Sequence, residues 1–188
     1  MQEDVSKLVE HVEHIKEIVS TQQSYARVMG VIELAKVSEL VETAVKLCQD
    51  TVTKHQVELT CDLDPDLPSV SVDRHKVVQI LVNLLVNAKD SVKETGTKGR
   101  KVCIESRLDG DETIRITVTD NGLGLERAHL SQVFRHGFTT KVNGHGFGLH
   151  MSAIAARELG GSLHVQSDGP GMGAIFTLTL PAIKNIQQ

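Results

Sequence analysis

Gln79-Ile80-Leu81-Val82-Asn83-Leu84-Leu85-Val86-Asn87-Ala88-Lys89-Asp90 is the stretch on which the fold of this chain turns. On a wheel of roughly 100° per residue, Val77, Leu81, Leu84, Leu85, Ala88 and Val92 share one face and are assigned to a core. Lys76, Gln79, Asn83, Asn87 and Asp90 share the other. The pattern predicts an amphipathic helix that starts at Asp73 and ends near Thr95-Gly96. Asn is a mediocre helix former, so a pair at i and i+4 on the polar face invites a chemical reason. Its amide oxygen can ligate a hard cation without adding charge, and its nitrogen donates. Alone, the pair fits an ordinary polar helix face equally well.

Outward from this helix, strands and turns alternate. On its N-terminal side Val31–Val37 reads as a short strand, and Ser38 as the N-cap of a helix running to Asp50 or beyond. His55–Leu63 alternates apolar and polar residues, as a strand does, before Asp64-Pro65-Asp66-Leu67-Pro68 forces a turn. On its C-terminal side Lys101–Leu108 and Thr113–Thr119 form strands joined by the hairpin signal Asp109-Gly110. A short helical stretch is expected near Glu126–Val133, and a longer one over Phe147–Leu159. Strands Ser162–Ser167 and Ala174–Leu180 close the chain around the glycine-rich turn 168–173. Helices alternating with hairpin-paired strands predict an α/β (α+β) sandwich, a mostly antiparallel sheet with helices packed on one face.

Between Asp120 and Gly148 the periodicity lapses and glycines accumulate, although regular elements resume at once. That marks a functional loop region rather than a linker. Asp120-Asn121-Gly122-Leu123-Gly124 directly follows a strand. A carboxylate there can accept a hydrogen bond from an exocyclic amine, and the glycines allow a flat ring to approach the backbone. A tight turn is the alternative. Gly144-His145-Gly146-Phe147-Gly148-Leu149 opens a helix, and its exposed amides suit a phosphate. Just before it, Phe138-Thr139-Thr140-Lys141 offers two hydroxyls and a cation to a polyphosphate. Neither GxGxxG nor GxxxxGK[ST] occurs.

At the N-terminus Val5, Leu8, Val12, Ile15, Val19, Gln22, Ala26 and Met29 recur at alternating spacings of three and four, a heptad seam ended by Gly30. It predicts a helix that packs against other helices, with His11 and His14 off the seam and solvated. A net charge of -4 and scattered Lys and Arg argue against nucleic acid as a partner, and 3% aromatic residues argue against base-stacking platforms. Cys48, Cys61 and Cys103 form no CxxC pair and are expected as buried free thiols in a reducing compartment. No secretory signal opens the chain and no apolar run approaches the ~20 residues of a membrane helix. The stretch is therefore expected to be cytoplasmic and soluble, with any membrane anchor of a parent protein elsewhere.

Taken in order, the Asn-bearing run at 79–88, Asp120 to Gly124, the Phe134 and Phe138 region, Gly144 to Leu149 and Gly173-Ala174-Ile175-Phe176 resemble the ATP-binding domain of sensor histidine kinases. That group lies in the superfamily that also holds gyrase-type, chaperone and mismatch-repair ATPases. The resemblance covers about 38–181. It implies a mixed sheet packed on three helices, an ATP-binding catalytic domain over 31–188, and a partial dimerisation helix over 1–30. It assigns Asn87 to Mg²⁺ and catalysis, Asn83 to the neighbourhood of the phosphates, and Asp120 to the adenine amino group, with Gly122 and Gly124 at the base pocket. Phe138, Thr139, Thr140 and Lys141 fall in a lid, Lys141 near the γ-phosphate as the second catalytic group. Gly144, His145, Gly146, Phe147, Gly148 and Leu149 form the phosphate-facing hinge.

Two departures accompany the match. Asp90, counted with the ATP-binding residues, stands where many such kinases place a basic residue. A phosphoacceptor box is absent, and the N-terminal helix resembles the second helix of the dimerisation hairpin, which does not carry that histidine. The resemblance thus implies phosphoryl transfer to a histidine outside these residues, relay to a response-regulator receiver domain, and a homodimer in the full protein. A nucleotide-sensing or docking module without transfer, an ATP hydrolase and a serine kinase of the same superfamily are the alternatives.

Overall fold

The computed structural model describes residues 30–95, 99–110, 112–141 and 144–183. By compactness the chain divides into Met1–Val31 and Ile32–Gln188. The heptad helix expected over Val5–Met29 lies outside the described residues.

The second unit runs β1 (Ile32–Ala35), α1 (Val37–Lys54), β2 (Glu58–Leu63), β3 (Val70–Asp73), α2 (Arg74–Glu94), β4 (Lys101–Asp109), β5 (Thr113–Asp120), α3 (Arg127–Leu130), α4 (Gly148–Glu158), β6 (Ser162–Gln166) and β7 (Ala174–Pro181). Five strands form one sheet in the order β2-β4-β5-β7-β6. Only β2 runs parallel to its neighbour β4; the other pairings are antiparallel. β1 and β3 make a separate antiparallel pair. The period of two decides which face is covered. Val102, Ile104, Ile114, Ile116, Val118, Phe176, Leu178 and Leu180 are buried, whereas Glu105, Arg107, Arg115, Thr117 and Thr177 alternate with them on the open face.

α2 is the central helix, packing on α1, α4 and β5. All six residues assigned to its core face are buried, joined by Val78 and Ile80. Asp73 caps it, its Oδ1 accepting from the backbone N–H of His75 at 3.0 Å and of Lys76 at 3.4 Å. An Asp73→Ala variant is expected to lose about 1 kcal/mol of stability in urea unfolding, the usual cost of removing an N-cap acceptor.

Several local expectations shift. α1 begins at Val37, not after a Ser38 cap, and Lys36 in the cap position makes no side-chain bond there. The strand expected from His55 begins at Glu58, because α1 continues to Lys54 and Gln56 then turns the chain at φ 54°. β3 has no counterpart in the sequence pattern; it is four residues long and runs directly into the α2 cap. The helical stretch near Glu126–Val133 shrinks to the four residues of α3, which no side chain caps. Of the cysteines, Cys48 is buried on α1, but Cys61 on the edge strand β2 is exposed and Cys103 is half-buried; all three are free. No described helix is long and apolar enough to cross a membrane.

Candidate functional site

The polar face of α2 meets two glycine-containing loops along its middle and C-terminal turns. Near its C-terminal end lies Asp120, the last residue of β5. Along β5, Ile114, Ile116, Val118 and Asp120 are all buried, so the carboxylate continues the core-facing row of the strand beneath α2. Its Oδ1 accepts from Ser91 Oγ at 2.9 Å and from Gly122 N–H at 2.9 Å. Burial pushes its pKa up, opposed by these two donors and by the Ala174 backbone. Asn121 ties the loop to the start of β4: its side chain accepts from Lys101 N–H and donates to Gly99 O, each at 2.8 Å.

Both glycines of this loop are required by close packing. A Cβ on Gly122 would meet the Ser91 carbonyl carbon at 2.5 Å and oxygen at 2.7 Å. Gly124 has φ +64°, and a side chain there would run into the Gly169 carbonyl, with Gly173 O at 3.1 Å. The 168–173 turn is held against the loop by Gly171 N–H to Leu123 O at 2.6 Å and by Gly173 N–H to Gly122 O at 3.2 Å. The sides a Cβ would occupy therefore face protein, and only the opposite backbone face of the loop remains for a planar ligand.

From Asn83 to Asp90 on α2 the charged end of the site assembles. Lys141 Nζ donates to Asn87 Oδ1 at 2.9 Å and to Asp90 Oδ2 at 2.7 Å. Lys89 pairs with the other oxygen of Asp90. Burial is the strongest single influence on the Asp90 carboxyl and raises its pKa, but the hydrogen bonds and charges of Lys141 and Lys89 together outweigh it and hold it below the ordinary value. A carboxylate of that kind lends stability above its unfolded pKa of about 3.9 and loses it as pH falls through the folded value. The Lys141 contact therefore holds throughout the neutral range. Asn87 Nδ2 lies 3.4 Å from Asn83 Oδ1, and Asn83 donates to Ser152 Oγ on α4 at 2.9 Å.

The segment carrying Lys141 is folded back on itself. Gly137 N–H donates to Gly146 O at 3.2 Å, and the Gly146 backbone, at φ +70°, would bring a Cβ to 2.6 Å from Phe138 N. Lys141 N–H donates to Thr139 Oγ1 at 3.1 Å, while Thr140 is exposed. The aromatic residues of the segment are occupied locally: Phe138 against His129 with ring centroids 5.3 Å apart, and Phe147 against His136 at 4.8 Å. His150 receives or gives a hydrogen bond at Phe134 O, 2.9 Å away. Leu149 packs against the core and His145 is half-buried. A Cβ on Gly148 would come within 2.5 Å of Asn83 Oδ1, so the start of α4 sits directly on the Asn face.

The structure thus brings Asn83, Asn87, Asp90 and Lys141 together at one end, and Asp120, Gly122 and Gly124 at the other. Ser91 belongs to the site without having been singled out by sequence, although it extends the spacing of Asn83 and Asn87 by another four residues. Ser152 and Ser167 join it too, and no motif flags them. Ser167 Oγ accepts from Leu125 N–H at 3.0 Å and donates to Gly173 O at 2.6 Å. Chemically, one end offers oxygens and an ammonium to phosphates or a hard cation, and the other a buried acceptor to a polar planar ring.

Comparisons with known proteins bear on the family and the fold. The family model of histidine kinase-, DNA gyrase B-, and HSP90-like ATPases matches residues 72–184. The signal transduction histidine-protein kinase AtoS of Escherichia coli is 29% identical over 181 residues, 96% of this chain and 29% of that protein. The sensor protein FixL of Bradyrhizobium diazoefficiens is 33% identical over 145 residues, 77% of this chain and 28% of that protein. The chain thus spans under a third of the length of these relatives. Among solved structures, the mycobacterial sensor histidine kinase MprB superposes with a TM-score of 0.71 at 21% identity, covering 81% of this chain and 98% of that one.

Proposed function

Because this chain belongs to the family of histidine kinase-, DNA gyrase B- and HSP90-like ATPases, we propose that residues 31–188 bind ATP along the polar face of α2 and donate its γ-phosphoryl group to a protein histidine. Asp120 reads the adenine amine with its buried carboxylate. Asn83, Thr139, Thr140, Lys141 and the amides of 144–148 surround the phosphates. The bond from the γ-phosphorus to its bridging oxygen breaks, ADP leaves, and a bond forms to an imidazole nitrogen supplied by another segment. Catalysis is then positioning and charge neutralisation. The phosphoryl group passes on to a receiver-domain aspartate of a response regulator, in the cytoplasm where ATP is available.

The observation that carries this reading is the seat of Lys141, a cation held against Asn87 Oδ1 and Asp90 Oδ2. Two oxygens that already hold an ammonium suit a hard cation, so the residues fit Mg²⁺. Among the described residues no group of three or more His, Cys, Asp or Glu stands ready to hold a metal. Asn87 would hold the ion, with phosphates and water completing its shell, and the bound ion would neutralise phosphate charge. Lys141, seated on the same side chains, would supply a second positive charge to the phosphates.

The test is calorimetric titration with ATP and ADP, with and without Mg²⁺. Micromolar, Mg²⁺-dependent binding is expected, and Asn87→Ala is expected to weaken the metal dependence while leaving metal-free binding largely intact. No adenine-nucleotide binding at millimolar ligand would overturn the proposal.

A further inference from the structure

Ser91 lies on the face of α2 that carries Asn83 and Asn87, and its hydroxyl stands between the helix and the Asp120 loop. Backbone N–H groups only donate and an ionised carboxylate only accepts, which together fix the direction of each hydrogen bond here. Leu123 N–H gives its proton to Ser91 Oγ at 3.0 Å. The serine proton is then directed to Asp120 Oδ1 at 2.9 Å, where Gly122 N–H also arrives at 2.9 Å. Oδ1 is thereby an acceptor of two donors, committed to the protein, and the reading of a ligand falls to Oδ2. Gly122 rests on the Ser91 backbone with no space for a side chain, so loop and helix are in register at this point.

We propose that Ser91 is a positioning residue for nucleobase selection: its hydroxyl, directed by Leu123 N–H, orients the Asp120 carboxylate as an acceptor, so that the site prefers a purine bearing an exocyclic amine. The proposal rests on the adenine-reading role of Asp120. No charged side chain figures among the influences on Asp120, which are burial, Gly122, Ser91 and Ala174. Loss of the serine proton removes one of the donors that oppose burial, and it frees the carboxyl to turn and to carry a proton. A neutral, freely turning carboxyl accepts more weakly, and so distinguishes less well a ring that donates from one that does not.

The test compares Kd for Mg·ATP with Kd for the Mg complex of purine riboside triphosphate, which lacks the amine. Ser91→Ala is expected to reduce the preference for ATP about five- to tenfold. Ser91→Cys, with a weak donor of similar size, is expected to do the same and decides the matter if Ser91→Ala does not fold. Ser91→Thr, which keeps the hydroxyl, is expected to retain the preference. Equal weakening of both ligands, or a Ser91→Thr preference as low as that of Ser91→Ala, would assign Ser91 to packing alone and overturn the proposal. Asp120→Asn is measured in parallel. An unchanged preference in that variant would remove the adenine-reading role itself. Its collapse there, with Ser91→Ala and Ser91→Cys unaffected, would refute only the role of Ser91.

Discussion

Asp120→Asn is expected to lower ATP affinity by roughly 1.5–3 kcal/mol, on the order of ten- to a hundredfold, with little change in the fold. The substitution keeps the shape of the side chain and the oxygen that accepts from Ser91 and Gly122. With that oxygen kept in place, the amide NH2 stands where Oδ2 accepted from the ligand, so a charge-assisted hydrogen bond is lost and a donor faces the adenine amine. The carboxylate is 5% exposed, so water cannot compensate for a lost partner. The pH dependence follows from burial, which raises the Asp120 pKa. Only the ionised form accepts freely, so native ATP affinity is expected to decline on acidification from a higher pH than an ordinary carboxylate near 3.9 would give. The sign for stability is opposite. A raised carboxyl pKa lends stability below the unfolded value and loses it as pH rises through the folded one. Calorimetry from pH 4.5 to 8 with both proteins checks the prediction. An unchanged affinity in Asp120→Asn, or unaltered adenine-over-guanine selectivity, would contradict the base-reading role.

The fold was legible where a period was clean, and illegible where tertiary contacts overrode local signals. α2 is long enough for its apolar stripe to declare itself, and the hairpin at Asp109-Gly110 has both turn chemistry and alternating flanks. α1 runs on beyond Asp50 to Lys54, within the expected reach, with Val52 buried in its last turn. β3 is too short to show a period, and exists because β1 pairs with it. In the site, Asn83, Asn87, Asp120 and Lys141 were legible through the order of their motifs, since each motif alone also fits a polar helix face, a tight turn or a solvated loop. Ser91 was not, since an isolated serine near a helix end has many uses and only the approach of Gly122 gives this one its meaning. The glycines of the Asp120 loop illustrate a different limit. Their spacing suggested room for a ligand, whereas the side that each lacks is filled by Ser91 or by the 168–173 turn.

Phosphoryl transfer is expected to be all or none: no histidine phosphate on the 188 residues alone, and transfer in trans when a hairpin segment bearing an acceptor histidine is supplied. The described site holds the parts proposed to position ATP, whereas its ring-packed histidines are occupied by local contacts. His129 and His136 are stacked on Phe138 and Phe147, and His150 is bonded to the Phe134 carbonyl. Each lies in or beside the segment proposed to close over the phosphates and is engaged there by its own neighbours. The acceptor is therefore expected to come from another element. The apolar positions from Val5 to Met29 are the docking surface proposed for it, one that in the full protein would complete a dimeric helical bundle. γ-Labelled ATP, with and without the hairpin, reports the result as acid-labile, base-stable phosphate. Label on His11 or His14 in the chain alone would reassign the N-terminal helix as the acceptor. Tight Mg·ATP binding with no transfer to the hairpin would leave a nucleotide-sensing module as the function of this fold.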